Sequence, residues 1–424
     1  MRTKTLAIAF VAILLMVPMM AFAAGGKEAA KPAEAGKPAV VELTVWFGRE
    51  NFIPDGKFDA FHAKYPNIRV KTDVIPLENA LTEGAKAISA GVGPDIVQTD
   101  SRRLPPFVEA GLVQPMDKYI AQWKAEDPAN YNALSSSAWD HASLNGVLYG
   151  VNIFAGPFNH VYRIDWLKQL GLNPPKNWDD VLDIARAVRD AKLGDGMSVR
   201  GPNSTPWFFA HYMAMGGKFV NNVIQLDSPA GIYALGFYQT LVKENLVSKD
   251  VISYGSGEMR AAFITGRAAQ APIGTNIFPD IQKQLAYGEK WGAVPMLPRK
   301  GFEKDFTYAS LGWPMIVTSN CKYPYEASLV LRYLAEHENA KSVAQRYQPT
   351  TVTTVWSDPD FLAKQPWSKD FDSALRSMTR TPASVFIEQI DKIVLDAMGE
   401  VMSNMNANPA DVAKRYQAQL NALK

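Results

Sequence analysis

An α/β fold is the architecture this sequence predicts, and three observations carry the prediction. Between residues 40 and 100, short β-branched strands alternate with amphipathic helices, the pattern of a parallel sheet with crossover helices. Polar residues cluster where those strands end, at the edge where open α/β sheets hold their ligands. The 424 residues, 47% hydrophobic and 20% charged, suit a globular chain with room for two or three domain-sized units.

The chain opens on "MRTKTLAIAFVAILLMVPMMAFAAGG", with a basic start, an apolar stretch from Leu6 to about Met20 and the small-x-small triplet Ala21-Phe22-Ala23. This is the build of a secretory signal peptide over residues 1–23, cut after Ala23, and it predicts an exported protein. The alternative is an uncleaved anchor, since the apolar run is nearly long enough to span a bilayer; Pro18 and the small-residue exit favour cleavage. Residues 24–39, "AGGKEAAKPAEAGKPA", carry no large apolar side chain and predict a flexible linker.

"VVELTVWF" (Val40 to Phe47) reads as the first buried strand. A helix from about Asp55 to Tyr65 presents Phe58, Phe61 and Tyr65 on one face and stops before Pro66. "IRVKTDVI" is the second strand. Leu77, Leu81, Ala85 and Ile88 then mark an amphipathic helix ended by Gly91. "PDIVQT" is the third strand, and Thr99 to Arg103 occupies its carboxyl exit. There Asp100 or Ser101 either caps the next helix or points into a ligand crevice.

Further on, Asn145-Gly146 fits a type I′ turn between the strands of "SLNGVLYGV". An extended segment, Val151 to Arg163, leads into a short helix. Asn177 caps the helix of "NWDDVLDIARAVRDA", with Asp180 at the capping-box position and Val181, Ile184, Ala185 and Val188 inward. Ser228-Pro229 starts a helix that buries Ile232, Leu235 and Leu241. Ala268 to Ile273 is a strand with a polar exit at Thr275-Asn276. Amphipathic helices follow in "YPYEASLVLRYLAEH" and "FIEQIDKIVLDAMGEVMSNM", and the chain ends in the helix "NPADVAKRYQAQLNALK".

Formal net charge is +2, and Arg2 and Lys4 of the leader account for it. The remainder is neutral, with no global field for nucleic acid or anionic membrane. Cys321, the single cysteine, excludes a disulfide framework and an acylated N-terminal cysteine. HExxH, CxxC, GxSxG and phosphate-loop patterns are absent, and the histidines (62, 141, 160, 211, 337) are scattered. These observations predict no enzyme, no cofactor and no metal. What remains is a supply of 10 Trp, 16 Tyr and 20 Phe, which can stack on the apolar faces of sugars while polar side chains take the hydroxyls.

Seven stretches, "ELTVWF", "FHAKYPNIRV", "AISAGVGPDIVQTDSRRLPPFVEAGLVQPMDKYI", "NGVLYGVNIFAG…VYRIDWLKQLGLNPPKNWDDVLDIARAV", "FITGRAAQAPIG", "LGWPMIVTSN" and "PYEASLVLRYLAE", occur in one order. Together they resemble the solute-binding proteins of ATP-driven (ABC-type) sugar importers, the family of maltose-binding protein. The resemblance implies the two-lobed periplasmic-binding-protein fold, each lobe a mostly parallel sheet flanked by helices, with a multi-strand hinge. Crossovers would fall near Phe154, Leu297 and Gln348. Lobe one would hold residues 40–153 and 299–347, lobe two 154–297 and 348–424. It implies a sugar held unaltered between the lobes, a membrane permease as partner, and a monomer.

Carried over by position, the resemblance places Phe47, Arg49 and Glu50 in the cleft, with Glu50 equally readable as a solvated carboxylate. Asp100 and Arg102 would bind sugar hydroxyls, with Arg103 open as the alternative to Arg102. Phe154 stands where maltose-binding protein has a carboxylate, which argues against maltodextrin specificity. Trp207 matches a stacking platform, or else a core residue, with Asn203 beside it. Asn276 stands where many relatives have tryptophan, and Trp313 matches the cleft floor or a site buried against the sheet. Two other readings stay open: a non-sugar solute (a polyamine, a phosphorylated polyol or ferric ion) and a secreted carbohydrate-active enzyme. The Arg102-Arg103 pair also leaves an anionic or phosphorylated sugar possible.

Overall fold

The computed structural model describes residues 40–76, 79–303 and 306–423. The expected signal peptide, the linker and Leu77 lie outside the described residues. Val41–Phe47 buries its alternate residues Val41, Leu43, Val45 and Phe47, as a period of two requires. It pairs in parallel with Ile68–Val74 along all seven residues and with Ile96–Gln98 on its other edge. Met315–Val317 joins antiparallel to Ile96–Gln98, and Gly150–Val151 closes the sheet. The parallel trio is the one the strand-helix alternation predicts. The antiparallel strands arrive from far along the chain.

The first helix is shorter than predicted, Asp59–Lys64. Gly56 and Lys57 take φ of 71° and 50°, a left-handed path that a right-handed helix cannot contain. The next helical stretch begins as one π turn, Ala80–Gly84, and continues as Ala85–Ser89. It ends as Gly91 predicts: at φ 74° Gly91 donates its N–H to the Ile88 carbonyl, and Val92 donates to Ala87, the Schellman pattern. Asn145 and Gly146, at φ 51° and 82°, make the expected turn between Ser143–Leu144 and Val147–Leu148. Asn177 caps Trp178–Asp190 by accepting the Asp180 N–H at 3.0 Å. The Asp180 carboxylate reaches one residue further back than a capping box does, to the Lys176 N–H.

The second sheet departs from the parallel expectation. Asn159–Arg163 is its centre, and both Trp291–Pro295 and Gln270–Ala271 run antiparallel to it. Strand sense depends on which end of the sheet the connecting helices deliver the chain to, and no local pattern encodes that. A third sheet sets Ala309–Gly312 antiparallel to Ala155–Pro157 and parallel to Thr379–Arg380, with a bridge between Phe154 and Thr350 alongside.

Two large cores flank these segments. Phe47, Phe61, Phe154, Met315, Leu331 and Val355 belong to one; Phe158, Trp178, Phe208, Tyr238, Leu297, Ala309, Ile390 and Met398 belong to the other. Core membership therefore changes between Phe154 and Phe158, between Ala309 and Met315, and between Phe361 and Ile387. A smaller core gathers Phe278, Trp291, Trp367 and Phe371. No helix among the described residues is long and apolar enough to cross a membrane.

Candidate functional site

A cavity of about 700 Å³ opens where the two large cores face each other across the passing segments, within the usual range for a small-molecule site. Arg49 and Asn51 reach it from the loop after the first strand, Gly156 to Phe158 from the third sheet, and Leu311 and Trp313 from the strand beside it. The opposite wall consists of Ser204, Pro206 and Trp207, where the helix Thr205–Ala214 begins, Arg260 on the helix Ser256–Ile264, and Ile273 to Ile277. Tyr347 and Gln348 complete it.

The aromatic lining is supported from behind. Trp207 stands edge-on to Phe158, with ring centres 4.8 Å apart at 77°. Buried Phe52 touches both Trp313, at 5.8 Å, and Tyr347, at 5.1 Å, so one core ring orients two cavity rings. Burial pushes the Tyr347 phenol above its usual range, against the opposing pull of nearby Arg49, Asn276 and Arg260. Gln348 is buried, and its side-chain carbonyl has no hydrogen-bond partner among the described residues. A buried acceptor left in that state is costly and suits a ligand hydroxyl.

Gly156 shapes the floor, because a Cβ there would lie 2.6 Å from both Gln348 Nε2 and Thr275 Oγ1. Gly156→Ala is expected to force those two side chains apart, destabilise the protein by about 1–3 kcal/mol and weaken ligand binding. Thermal unfolding and calorimetry on the variant measure both effects.

Of the residues singled out in the sequence, Arg49, Trp207, Asn276 and Trp313 line the cavity. Trp207 packs on the second core and also lines the cavity. The rest lie elsewhere. Phe47, turned inward by strand alternation, and Phe154, in a segment buried on both sides, are inside the first core. Glu50 is exposed on the turn after the first strand. Asn203 is exposed and spends its amide on the Tyr254 carbonyl at 2.8 Å.

Asp100 and Arg102 are buried and engaged with each other, away from the lining. Asp100 accepts the Arg102 backbone N–H at 2.9 Å, as a cap does, and also Arg102 Nη2 at 2.9 Å. Arg102 Nη1 donates to Asp391 at 3.1 Å and to Thr205 at 3.3 Å. Burial opposes every charge in this group. For Asp100 the adjacent guanidinium overrides burial and holds the carboxyl below its ordinary range. For Asp391 burial wins over Arg102 and raises the carboxyl. Arg103, the alternative to Arg102, pairs with Glu388 at 2.7 Å. Neither arginine lines the cavity.

Arg200, Arg260 and Tyr347 went unnoticed in the sequence, and Gln348 was marked only as a crossover, not as a contact. Arg260 lies in "GSGEMR", a glycine-containing stretch that fits no nucleotide fingerprint. The only signal near Arg200 is the Gly/Pro-rich loop that follows it. Another cluster, His337, Glu338 and Asp358, has metal-ligand character, but Lys341 occupies its centre, pairing with Asp358 at 3.1 Å and Glu338 at 3.0 Å.

A family model described as bacterial extracellular solute-binding protein matches residues 50–341. The chain belongs to that family. Among curated relatives, a binding protein of Brucella abortus is 24% identical over 374 residues, 86% of this chain and 88% of that protein. The maltotriose-binding protein of Pyrococcus abyssi is 24% identical over 386 residues, 85% of this chain and 77% of that one. Among solved structures, maltose-bound MalE3 of T. maritima superposes with a TM-score of 0.76 at 17% identity, covering 91% of this chain and 100% of that one. The fold of this solute-binding protein is therefore that of two-domain binding proteins.

Proposed function

We propose that this solute-binding protein captures a sugar or oligosaccharide between two lobes and hands it, chemically unaltered, to the membrane permease of an ABC-type importer. One observation carries the reading: a cavity with rings on opposite walls, Trp207 on one and Trp313 and Tyr347 on the other, interleaved with amide groups. Stacked rings match the apolar faces of a pyranose, and amides both donate and accept, as hydroxyls require. The relatives named for maltotriose and maltose support the same ligand class.

The two lobes follow the two cores, with the passages between them where core membership changes, and the ligand contacts are Arg49, Trp207, Asn276 and Trp313 together with Tyr347 and Gln348. The protein works as a monomer in the periplasm after removal of residues 1–23, and it catalyses nothing. Closure from 1:99 to 99:1 needs about 5.5 kcal/mol of differential affinity, which must come from groups that meet the ligand only when both walls touch it.

A thermal-shift screen against mono- and oligosaccharides tests the reading, since ligand at a hundred times its Kd adds about 2.7 kcal/mol. Trp207→Ala is expected to weaken binding at least tenfold and to abolish ligand-induced compaction in small-angle scattering. Undiminished affinity in that variant contradicts the site; turnover of an oligosaccharide in a reducing-end assay contradicts the transport role.

A further inference from the structure

The charge of the cavity is at odds with a neutral ligand. Five basic side chains line it, Arg49, Arg200, Arg260, Lys283 and Arg346, against one acid, Asp280, although the whole chain carries only +2. Asp280 is taken by Lys283 at 2.8 Å, and Arg346 is answered by Asp55 at 3.0 Å. Among the described residues, the other three form no ion pair.

Arg200 and Arg260 stand close enough to repel. Burial first, and then the charge of Arg260, pull the Arg200 guanidinium below its ordinary range. Arg200 Nη1 donates to Ser204 Oγ at 2.9 Å, but its Nε is buried with no partner among the described residues. Arg260 uses only Nε, on the Ser256 carbonyl at 3.1 Å. Two cations lining one cavity, with no carboxylate paired to either among the described residues, are an unfavourable arrangement that an anion would relieve. The beginnings of the helices Thr205–Ala214 and Ser256–Ile264 also meet the cavity, through Ser204 and Ser256, and their dipoles add positive potential there.

Guanidinium groups only donate, so they match oxyanions better than hydroxyls, which must donate as well as accept. Gln348 and Asn276 supply acceptors for hydroxyls elsewhere in the same space.

We propose that the solute is an acidic sugar, its carboxylate or phosphate received by Arg200 and Arg260 while its hydroxylated ring lies among Trp207, Trp313 and Gln348. The assignment rests on the sugar-binding reading above and narrows it. The body of the ligand is a saccharide and its distinguishing group is an oxyanion. Arg49, on the opposite wall, meets the same anion when the lobes close.

The test is calorimetry on matched pairs: galactose with galacturonate, glucose with glucuronate, and glucose with its phosphate ester at the primary hydroxyl, each also as short oligomers where these exist. The expected result is an acidic member bound about tenfold to a hundredfold tighter than its neutral counterpart, with the gap narrowing as salt is added. The pair that shows the gap tells carboxylate from phosphate. Arg200→Gln and Arg260→Gln are each expected to cut the acid-to-neutral ratio about tenfold; melting temperatures report whether the variants fold. Neutral members bound as tightly as acidic ones, or a ratio unmoved in both folded variants, overturns the acidic-sugar assignment and leaves the sugar reading standing. Inorganic phosphate or acetate binding as tightly as any acidic sugar, or no saccharide bound at all, overturns both.

Discussion

Arg102→Ala is expected to lower the unfolding free energy by about 3–5 kcal/mol, the usual result of removing one partner from a buried ion pair. Arg102 is 3% exposed and its guanidinium serves Asp100 and Asp391 at once. Without it two buried carboxylates face each other with no cation between them. Asp100 follows a strand of the first sheet, whereas Thr205 and Asp391 sit on helices of the second core, so the loss falls on the contact between the two cores. Urea unfolding measures it, and pairing the change with Asp391→Asn should recover part of the stability by removing one stranded charge. A loss below about 1 kcal/mol would mean the pair is solvated and the network unimportant.

Acid should begin to destabilise the protein above the range in which ordinary carboxylates titrate. Burial lowers the pKa of His141 and His160 to about 4 and that of His211 to about 3, from 6.5 in an unfolded chain. A base whose folded pKa is depressed keeps its full stability above pH 6.5. It loses that stability as pH falls toward the folded value, because the unfolded chain takes up the proton first. Three such groups make the expected loss several kcal/mol, on the order of one to three for each histidine, by about pH 4.

The contacts agree with neutral rings. His160 Nε2 lies 3.0 Å from the Gln270 side-chain carbonyl, whose amide end is committed to Val181, and His160 Nδ1 has no partner among the described residues. Asp391, Asp95 and Asp195, raised by burial, work in the opposite direction and gain on protonation, but Asp100, Asp165 and Asp358, held below the ordinary carboxylate range by their partners, lose stability along with the histidines as pH falls. Denaturant midpoints between pH 7 and 4 test the sign, and His160→Gln should make the slope shallower. A midpoint constant down to pH 5 contradicts neutral burial of all three rings.

Much of the local structure was legible because it depends on near neighbours in sequence. Gly91, Asn145-Gly146, Asn177 and Ser228 each do what short-range sterics and capping require. Where a local rule was outvoted, another local fact did it, as at Gly56-Lys57. The candidate site divides differently. Trp313 lies in one of the ordered stretches that resemble the family, Trp207 in a loop-rich stretch matched to it by position, and both line the cavity. Asp100 and Arg102 were singled out by position after a strand, and that position is real. Their direction, however, is set by Asp391, 289 residues from Arg102, and nothing within a window of sequence announces that partner.

The sequence alone therefore determined the α/β class, the parallel trio of strands, the helix ends at Gly91, Asn177 and Ser228, and the family, since each rests on periodicity, backbone sterics or an ordered set of motifs. The antiparallel sense of the second sheet, the retreat of Phe47, Phe154, Asp100 and Arg102 from the cavity, and the gathering of Arg49, Arg200 and Arg260 around it were decided only by tertiary structure. The reason is physical. Burial and electrostatic pairing are properties of positions in space, and here the chain returns to the same place from segments up to about three hundred residues apart.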